Sequence, residues 1–178
     1  MELNGLSVEQ APPISAPMRF YLTAPLFAFV AGLLIFFSDS SLLMSRYSND
    51  TITITHSLTI GFLGFIMLGS LTQMLPVLAG TVIPKAGTIS KISHLFLTLG
   101  LFFMLYGLHY GNAISLYIAM VLLFFGFMLM LGVIAMAFFK VKHFNPTVKA
   151  MSVSVVFATF TIVMGVFLLL TYTDNSLA

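Results

Sequence analysis

The chain of 178 residues contains neither cysteine nor tryptophan, and only 7% of its residues are charged. Without cysteine it forms no disulfide and offers no thiolate to zinc or to an iron–sulfur cluster. Without tryptophan, an aromatic belt at a membrane surface must use tyrosine and phenylalanine. Soluble domains carry about 25% charged residues, so the scarcity of charge predicts a membrane protein. The net charge of +2 is too small to indicate a nucleic-acid partner.

What the chain has in abundance is apolar sequence, because 60% of its residues are hydrophobic. A membrane-spanning helix needs about 20 apolar residues. Five segments meet this requirement: about 20–44, 53–79, 92–110, 113–139 and 147–172. Their apolar runs are continuous and do not alternate, which favours helices over barrel strands. The predicted fold is an all-α bundle of five transmembrane helices.

The predicted domain organisation is a single membrane domain with short tails. Residues 1–19 are polar and form a cytoplasmic tail, residues 20–174 form the five-helix transmembrane domain, and residues 175–178 form a short outer tail. The first tail has no basic start and no small-residue cleavage site, so the first span is expected to act as its own uncleaved signal.

The distribution of basic residues predicts the orientation in the membrane. Cytoplasmic loops are enriched in lysine and arginine. With five spans, six of the seven basic residues fall on the amino-terminal side and only Arg46 falls on the other. The amino terminus is therefore expected inside and the carboxyl terminus outside. The six residues are Arg19, Lys85, Lys91, Lys140, Lys142 and Lys149.

Polar residues at the span ends predict helix caps. Ser90, Asn112 and Asn145, which is followed by Pro146, are expected to cap the third, fourth and fifth helices. The link Gly111-Asn112 is so short that the third and fourth helices must be antiparallel neighbours.

Small residues at helical spacing predict close helix contacts in lipid. Gly100 and Gly107 lie a heptad apart on the third helix. The two longer stripes are Ser115, Ala119 and Gly126 on the fourth helix, and Ser154, Ala158, Thr161 and Gly165 on the fifth.

The second span carries the residues most indicative of function. It joins His56 to Gly61, Gly64, Gln73 and Pro76 within one apolar stretch. Ionisable groups within a span are costly and therefore mark functional sites by default. The glycines allow a neighbouring backbone or a flat cofactor to approach closely.

At 100° per residue, His56 shares one helix face with apolar residues: Ile60, Leu63, Met67 and Met74. The result is an imidazole above an apolar wall, with Gly61 and Gly64 leaving room for the edge of a ring. An alternative is that His56 only hydrogen-bonds water, lipid headgroups or a neighbouring carbonyl at the interface.

Two further histidines are candidate partners of His56. His109 lies near the outer end of the third helix, at a height similar to His56, which is the arrangement that a bis-imidazole metal or heme site needs. His94 lies at the inner start of the same helix. Because axial ligands approach heme from opposite faces, the second ligand comes either from a helix that stands apart or from another protomer.

Gln73 and Pro76 define a separate possibility. Proline at this position frees a carbonyl group near Thr72, which Gln73 or a neighbour can satisfy. Such a kink with a polar side chain either lines an ion or proton path or is simply structural.

The sequence T-H-S-L-T-I-G-F-L-G-F-I-M-L-G-S-L-T-Q-M-L-P-V-L-A-G resembles a helix of bacterial heme–copper-type membrane proteins. These include cytochrome oxidase subunit I and the NnrS nitric-oxide-response proteins. The resemblance covers mainly residues 55–80 and extends to S-H-L-F-L-T-L-G around His94. It implies that His56 ligates heme b and that His94 is a residue of interest, and it does not point to His109.

The chain departs from that family in having five predicted spans where heme–copper proteins have about twelve. It is therefore not expected to be a complete oxidase by itself; it resembles either the amino-terminal part of such a protein or a shortened relative that dimerises. The leading hypothesis is a heme b protein of the bacterial inner membrane in respiratory electron transfer or nitric-oxide handling. Its expected partners are membrane lipids and a homo-oligomer or larger membrane complex. The alternatives are a non-enzymatic accessory or assembly subunit and a small transporter.

Overall fold

The computed structural model describes residues 8–38, 45–141 and 145–176. This part of the chain contains helices and turns and no strand, so the all-α prediction is confirmed. A short 3₁₀ turn at Val8–Gln10 precedes five long helices, which are α1 (Ser15–Phe37), α2 (Asn49–Ala79), α3 (Ala86–Tyr110), α4 (Ala113–Phe138) and α5 (Pro146–Ser176).

All five helices are long and apolar enough to cross a membrane, and the chain is a multi-pass membrane protein. Successive helices alternate in direction. The starts of α1, α3 and α5 therefore lie at one end, here called the N-terminal end, and the starts of α2 and α4 lie at the opposite, C-terminal end.

The helix bounds differ from the predicted spans mainly at polar starts. α1 begins at Ser15, five residues before the predicted start of its span, α2 begins at Asn49, and α3 begins at Ala86 although its apolar run starts near residue 92. An apolar-run criterion detects only the hydrocarbon-facing part, whereas the backbone hydrogen bonds of a helix continue into the interface. α1 ends at Phe37, and the rest of the first predicted span, including Asp39, lies outside the described residues.

Two of the three predicted caps are confirmed. The side-chain oxygen of Asn112 accepts the backbone N–H of Ser115 at 2.9 Å, and that of Asn145 accepts the N–H of Val148 at 2.8 Å. The predicted cap at Ser90 is wrong, because α3 already begins four residues earlier, after Lys85. Ser90 is instead an interior residue of the helix and is buried.

Loss of the Asn112 cap is expected to weaken the α3–α4 hairpin. Asn112→Ala removes the only side-chain acceptor for the Ser115 N–H, and loss of such a cap typically costs about 1 kcal/mol. The measurement is reversible unfolding in mixed micelles. Asn112→Asp keeps the acceptor and is the matched control, so equal losses for the two variants would contradict the cap as the cause.

The pair α3–α4 forms the most extensive helix contact, as the short link and the small residues predict. At Gly100, Gly107 and Gly126 an added Cβ would lie less than 3.0 Å from a leucine side chain of the facing helix. The hydroxyl of Ser93 donates to the carbonyl oxygen of Gly126 at 2.7 Å. The whole α4 stripe is buried: Ser115, Ala119 and Gly126.

Helices α1 and α2 are in closest contact where α2 changes from an α-helix to a π-helix. Ser57–Gly64 is a π-helix between α-helical segments. At this point the Ser57 hydroxyl donates to the carbonyl oxygen of Phe27 at 2.8 Å, and an added Cβ on Gly61 would lie 2.5 Å from the Phe27 Cβ. The π-segment therefore brings the two backbones unusually close.

Helix α5 is the least buried of the five. Only 11% of its most apolar stretch is buried, compared with 44% for α4. In its small-residue stripe Ala158 is half-buried and Ser154, Thr161 and Gly165 are exposed, and an added Cβ on Gly165 would meet no atom within 4 Å. Among the described residues no helix therefore packs closely against the stripe at Gly165.

Candidate functional site

The three candidate histidines lie at three depths of the bundle. His109 contacts Asp50 at the C-terminal end, with 3.0 Å between Nδ1 and Oδ1. His56 follows Asp50 by six residues of α2, a rise of about 9 Å. His94 precedes His109 by fifteen residues of α3, a rise of about 22 Å. The predicted similar height of His56 and His109 is therefore not observed, because the two residues lie more than one helical turn apart.

His56 has one ring nitrogen engaged and the other available. Its Nδ1 lies 2.8 Å from the carbonyl oxygen of Ile52, one turn earlier in the same helix. Because a carbonyl oxygen can only accept, Nδ1 carries the hydrogen and Nε2 keeps its free electron pair. Metal-bound histidines commonly have their second ring N–H tied to a backbone carbonyl in this way.

The π-segment changes which residues lie below His56. A π-turn holds more residues than an α-turn, so exposure repeats every four residues here: Leu63 is 51% exposed and Met67 is 55% exposed. The half-buried line beside them is His56, Ile60 and Gly64. The prediction that Leu63 and Met67 share the face of His56 assumed a regular α-helix and is wrong for that reason.

The two glycines of the predicted cofactor wall have different surroundings. The space at Gly61 is filled by the side chains of Phe27 and Leu101, so it allows a close approach of α1 and not of a cofactor. An added Cβ on Gly64 would approach only the Thr59 carbonyl oxygen of its own helix, at 3.3 Å. Gly64 therefore leaves a notch on the half-buried line below His56.

His94 lies in a cage of side chains in the N-terminal half of the bundle. Its ring meets the edges of Phe20 and Phe65, with centroid distances of 5.4 and 5.8 Å. The Thr23 hydroxyl lies 2.7 Å from Nε2 and also donates to the carbonyl oxygen of Arg19. Both bonds can coexist only if Nε2–H donates to Thr23. The free electron pair of His94 is therefore on Nδ1.

His109 and Asp50 line a cavity at the C-terminal end. Their contact does not meet hydrogen-bond geometry, so it is an ion pair when the imidazole is protonated. The described lining of the cavity, whose volume is about 560 Å³, is otherwise mostly apolar and comes from the end of α1, including Val30, Leu34 and Phe37. Asp50, in the first turn of α2, gave no signal in the apolar pattern from which the site was predicted.

Gln73 and Pro76 do not line an internal path of the single chain. Gln73 is exposed on the outside of the bundle, whereas Pro76 is buried. The polar group beside the proline is Thr72, whose hydroxyl donates to the Leu68 carbonyl oxygen within the same helix. Past the proline, the Pro76 carbonyl oxygen accepts the N–H of Thr81.

Among the described residues, His56, His94 and His109 lie at different depths, so these three imidazoles do not pair within one copy of the chain. In residues 8–38, 45–141 and 145–176, no group of three or more histidine and carboxylate side chains converges to hold a metal ion. Of these histidines, His56 is the one that fits a heme ligand through Nε2, because its Nδ1 is held by the Ile52 carbonyl oxygen. His94 would have to give up its bond to Thr23 to act through the same nitrogen.

The fold defines the class of protein: a multi-pass membrane protein, with five helices among the described residues that are long and apolar enough to cross a membrane. No family model, no curated protein and no solved structure was found to match the chain.

Proposed function

We propose that this protein binds heme b in a bacterial inner membrane and acts in respiratory electron transfer or nitric-oxide handling. The observation that carries the proposal is the hydrogen bond from His56 Nδ1 to Ile52, which leaves Nε2 free. The notch at Gly64, on the same half-buried line as His56, supports it with space for the edge of a flat ring. The resemblance of residues 55–80 to the heme-ligating helix of heme–copper proteins points to the same histidine.

The second axial ligand is assigned to a second copy of the chain. His94 and His109 differ in depth from His56, and both have a neighbour on a ring nitrogen. In a dimer with a two-fold axis along the membrane normal, the same residue lies at the same depth in both copies. The His56 side chains of both copies would then be available to hold the heme.

In this arrangement the chain's own residues bind and orient the group. His56 supplies the ligand, the Ile52 carbonyl fixes its ring orientation, and Ile60 and Gly64 form the apolar surface below it. Heme b, when bound, supplies one-electron redox chemistry. The chain is not proposed to reduce oxygen alone.

The experiment is an absorption spectrum of detergent-purified protein, oxidised and dithionite-reduced, with a pyridine hemochrome assay. The expected result is a Soret band with sharp α and β bands on reduction and half a heme per chain. A colourless protein, even after expression with added heme, would contradict the proposal.

An accessory or assembly subunit of a larger membrane complex is a second candidate, favoured by α5. The exposed small residues of α5 are of the kind that pack against another transmembrane helix, and none of the described residues packs closely on Gly165. This function predicts a colourless protein that copurifies with other subunits. Gly165→Leu should release those subunits, and Gly32→Leu, at another open glycine, is the control.

A further inference from the structure

Two buried hydroxyl groups without partners lie on either side of His94 on α3. Ser90 is 1% exposed, and neither its hydroxyl nor the buried hydroxyl of Thr98 has a hydrogen-bond partner within the described residues. The three residues are spaced by four, so they follow one another along one face of the helix.

Unpartnered hydroxyls at such depth are unusual. In transmembrane helices serine and threonine ordinarily donate to a carbonyl of their own helix, as Thr23 and Thr72 do here. A buried polar group without a partner costs about 1–3 kcal/mol. Polar sites of this kind in protein interiors are satisfied by ordered water. Ser90 and Thr98 therefore indicate water positions next to the imidazole.

The line begins at a cavity at the N-terminal end of the bundle. The cavity has a volume of about 390 Å³, and among its lining residues are Glu9, Lys85 and Ala86. Ala86 precedes Ser90 by four residues, on the same face of α3. In the adjoining loop the buried Thr81 hydroxyl also has no partner among the described residues. The described residues contain four buried side-chain polar atoms without partners, and three of them, in Thr81, Ser90 and Thr98, thus lie between this cavity and the surroundings of His94.

We infer that water enters from this cavity along Ser90 and brings His94 into proton exchange with the aqueous phase at the N-terminal end. His94 already donates Nε2–H to Thr23, so Nδ1 takes up the proton from a neighbouring water and the ring becomes an imidazolium. Return of that proton to the same water restores the neutral ring. This water path ends near Thr98, because the next turns of that face of α3 carry Leu101 and Leu105.

The groups that surround this imidazole are few. From α1 the charged neighbour is Arg19, whose carbonyl oxygen accepts from Thr23. From α3 the charged neighbour is Lys91, which is exposed. Glu9 and Lys85 lie at the cavity. The inference uses no property of His56 and does not depend on the proposed heme.

The absence of native cysteine makes the route directly testable. A thiol reacts as its thiolate, which forms only where water reaches it. Ser90→Cys and Thr98→Cys in bilayers should react with methyl methanethiosulfonate at least tenfold faster than Ala119→Cys, a buried control in the α3–α4 contact. Ser154→Cys, exposed on α5, reports reaction from the lipid phase. Rates for Ser90→Cys and Thr98→Cys as slow as for Ala119→Cys would overturn the inference.

A second measurement uses the unaltered sequence, so it does not depend on the folding of a variant. In protein labelled with ¹⁵N-histidine in bilayers, the His94 ring signals are assigned by their loss in His94→Gln. Between pH 8 and pH 4 they should pass from the Nε2–H form to the doubly protonated form. A His94 ring that remains in the Nε2–H form throughout this range would refute proton exchange.

Discussion

Replacement of His56 by alanine is expected to remove at least nine-tenths of the bound heme. His56 is the one histidine of the three whose Nε2 is free while Nδ1 is anchored to a carbonyl, that of Ile52. In the proposed dimer the same substitution removes both axial ligands at once, so no single-ligand form remains. The measurement is the reduced α-band and the pyridine hemochrome yield per chain in purified protein.

Two controls separate loss of the ligand from general damage. His94→Gln keeps a donor for Thr23 in the N-terminal half of the bundle and should retain its heme. Gly64→Leu fills the notch below His56 and should lower heme content, whereas Gly132→Leu, at a glycine with nothing within 4 Å, should not. Full heme content in His56→Ala would reject His56 as the ligand.

The second large effect is expected at Gly61. In Gly61→Ala the new Cβ would lie 2.5 Å from both Cβ and Cγ of Phe27 and 2.9 Å from Leu101. The Phe27 Cβ is fixed by the backbone of α1, so the clash is relieved only if α1 and α2 move apart. Such overpacking costs about 1–3 kcal/mol, and separation also lengthens the bond from Ser57 to the Phe27 carbonyl oxygen. We expect a loss of about 2 kcal/mol or more, measured as unfolding in mixed micelles.

Gly32→Ala is the matched control, because it adds the same methyl group to an α1 glycine with nothing within 4 Å. It should be neutral or slightly stabilising, since alanine loses less backbone freedom than glycine on forming a helix. Equal stability of the two variants would mean that the α1–α2 contact at Gly61 adjusts without cost.

Several features could be predicted from local sequence because their physical cause is local. The five spans follow from apolar run length. The caps at Asn112 and Asn145 follow from short-range hydrogen bonds, each to an N–H three residues later. The α3–α4 pairing follows from a link of two residues and from small residues on both helices. The prediction at Ser90 failed because the polar start of α3 is helical beyond its apolar run.

The sequence by itself determined the all-α class, the number of helices, their antiparallel order and the identity of the candidate imidazoles. The tertiary structure decided which nitrogen of each imidazole is free, because that depends on partners such as Ile52, Thr23 and Asp50. It also decided that part of α2 is a π-helix, and as a result Gly64, and not Leu63, lies on the same line of the helix as His56. Hydrogen-bond register and side-chain partners are set where helices meet, and residue spacing along one helix carries no information about the helix packed against it.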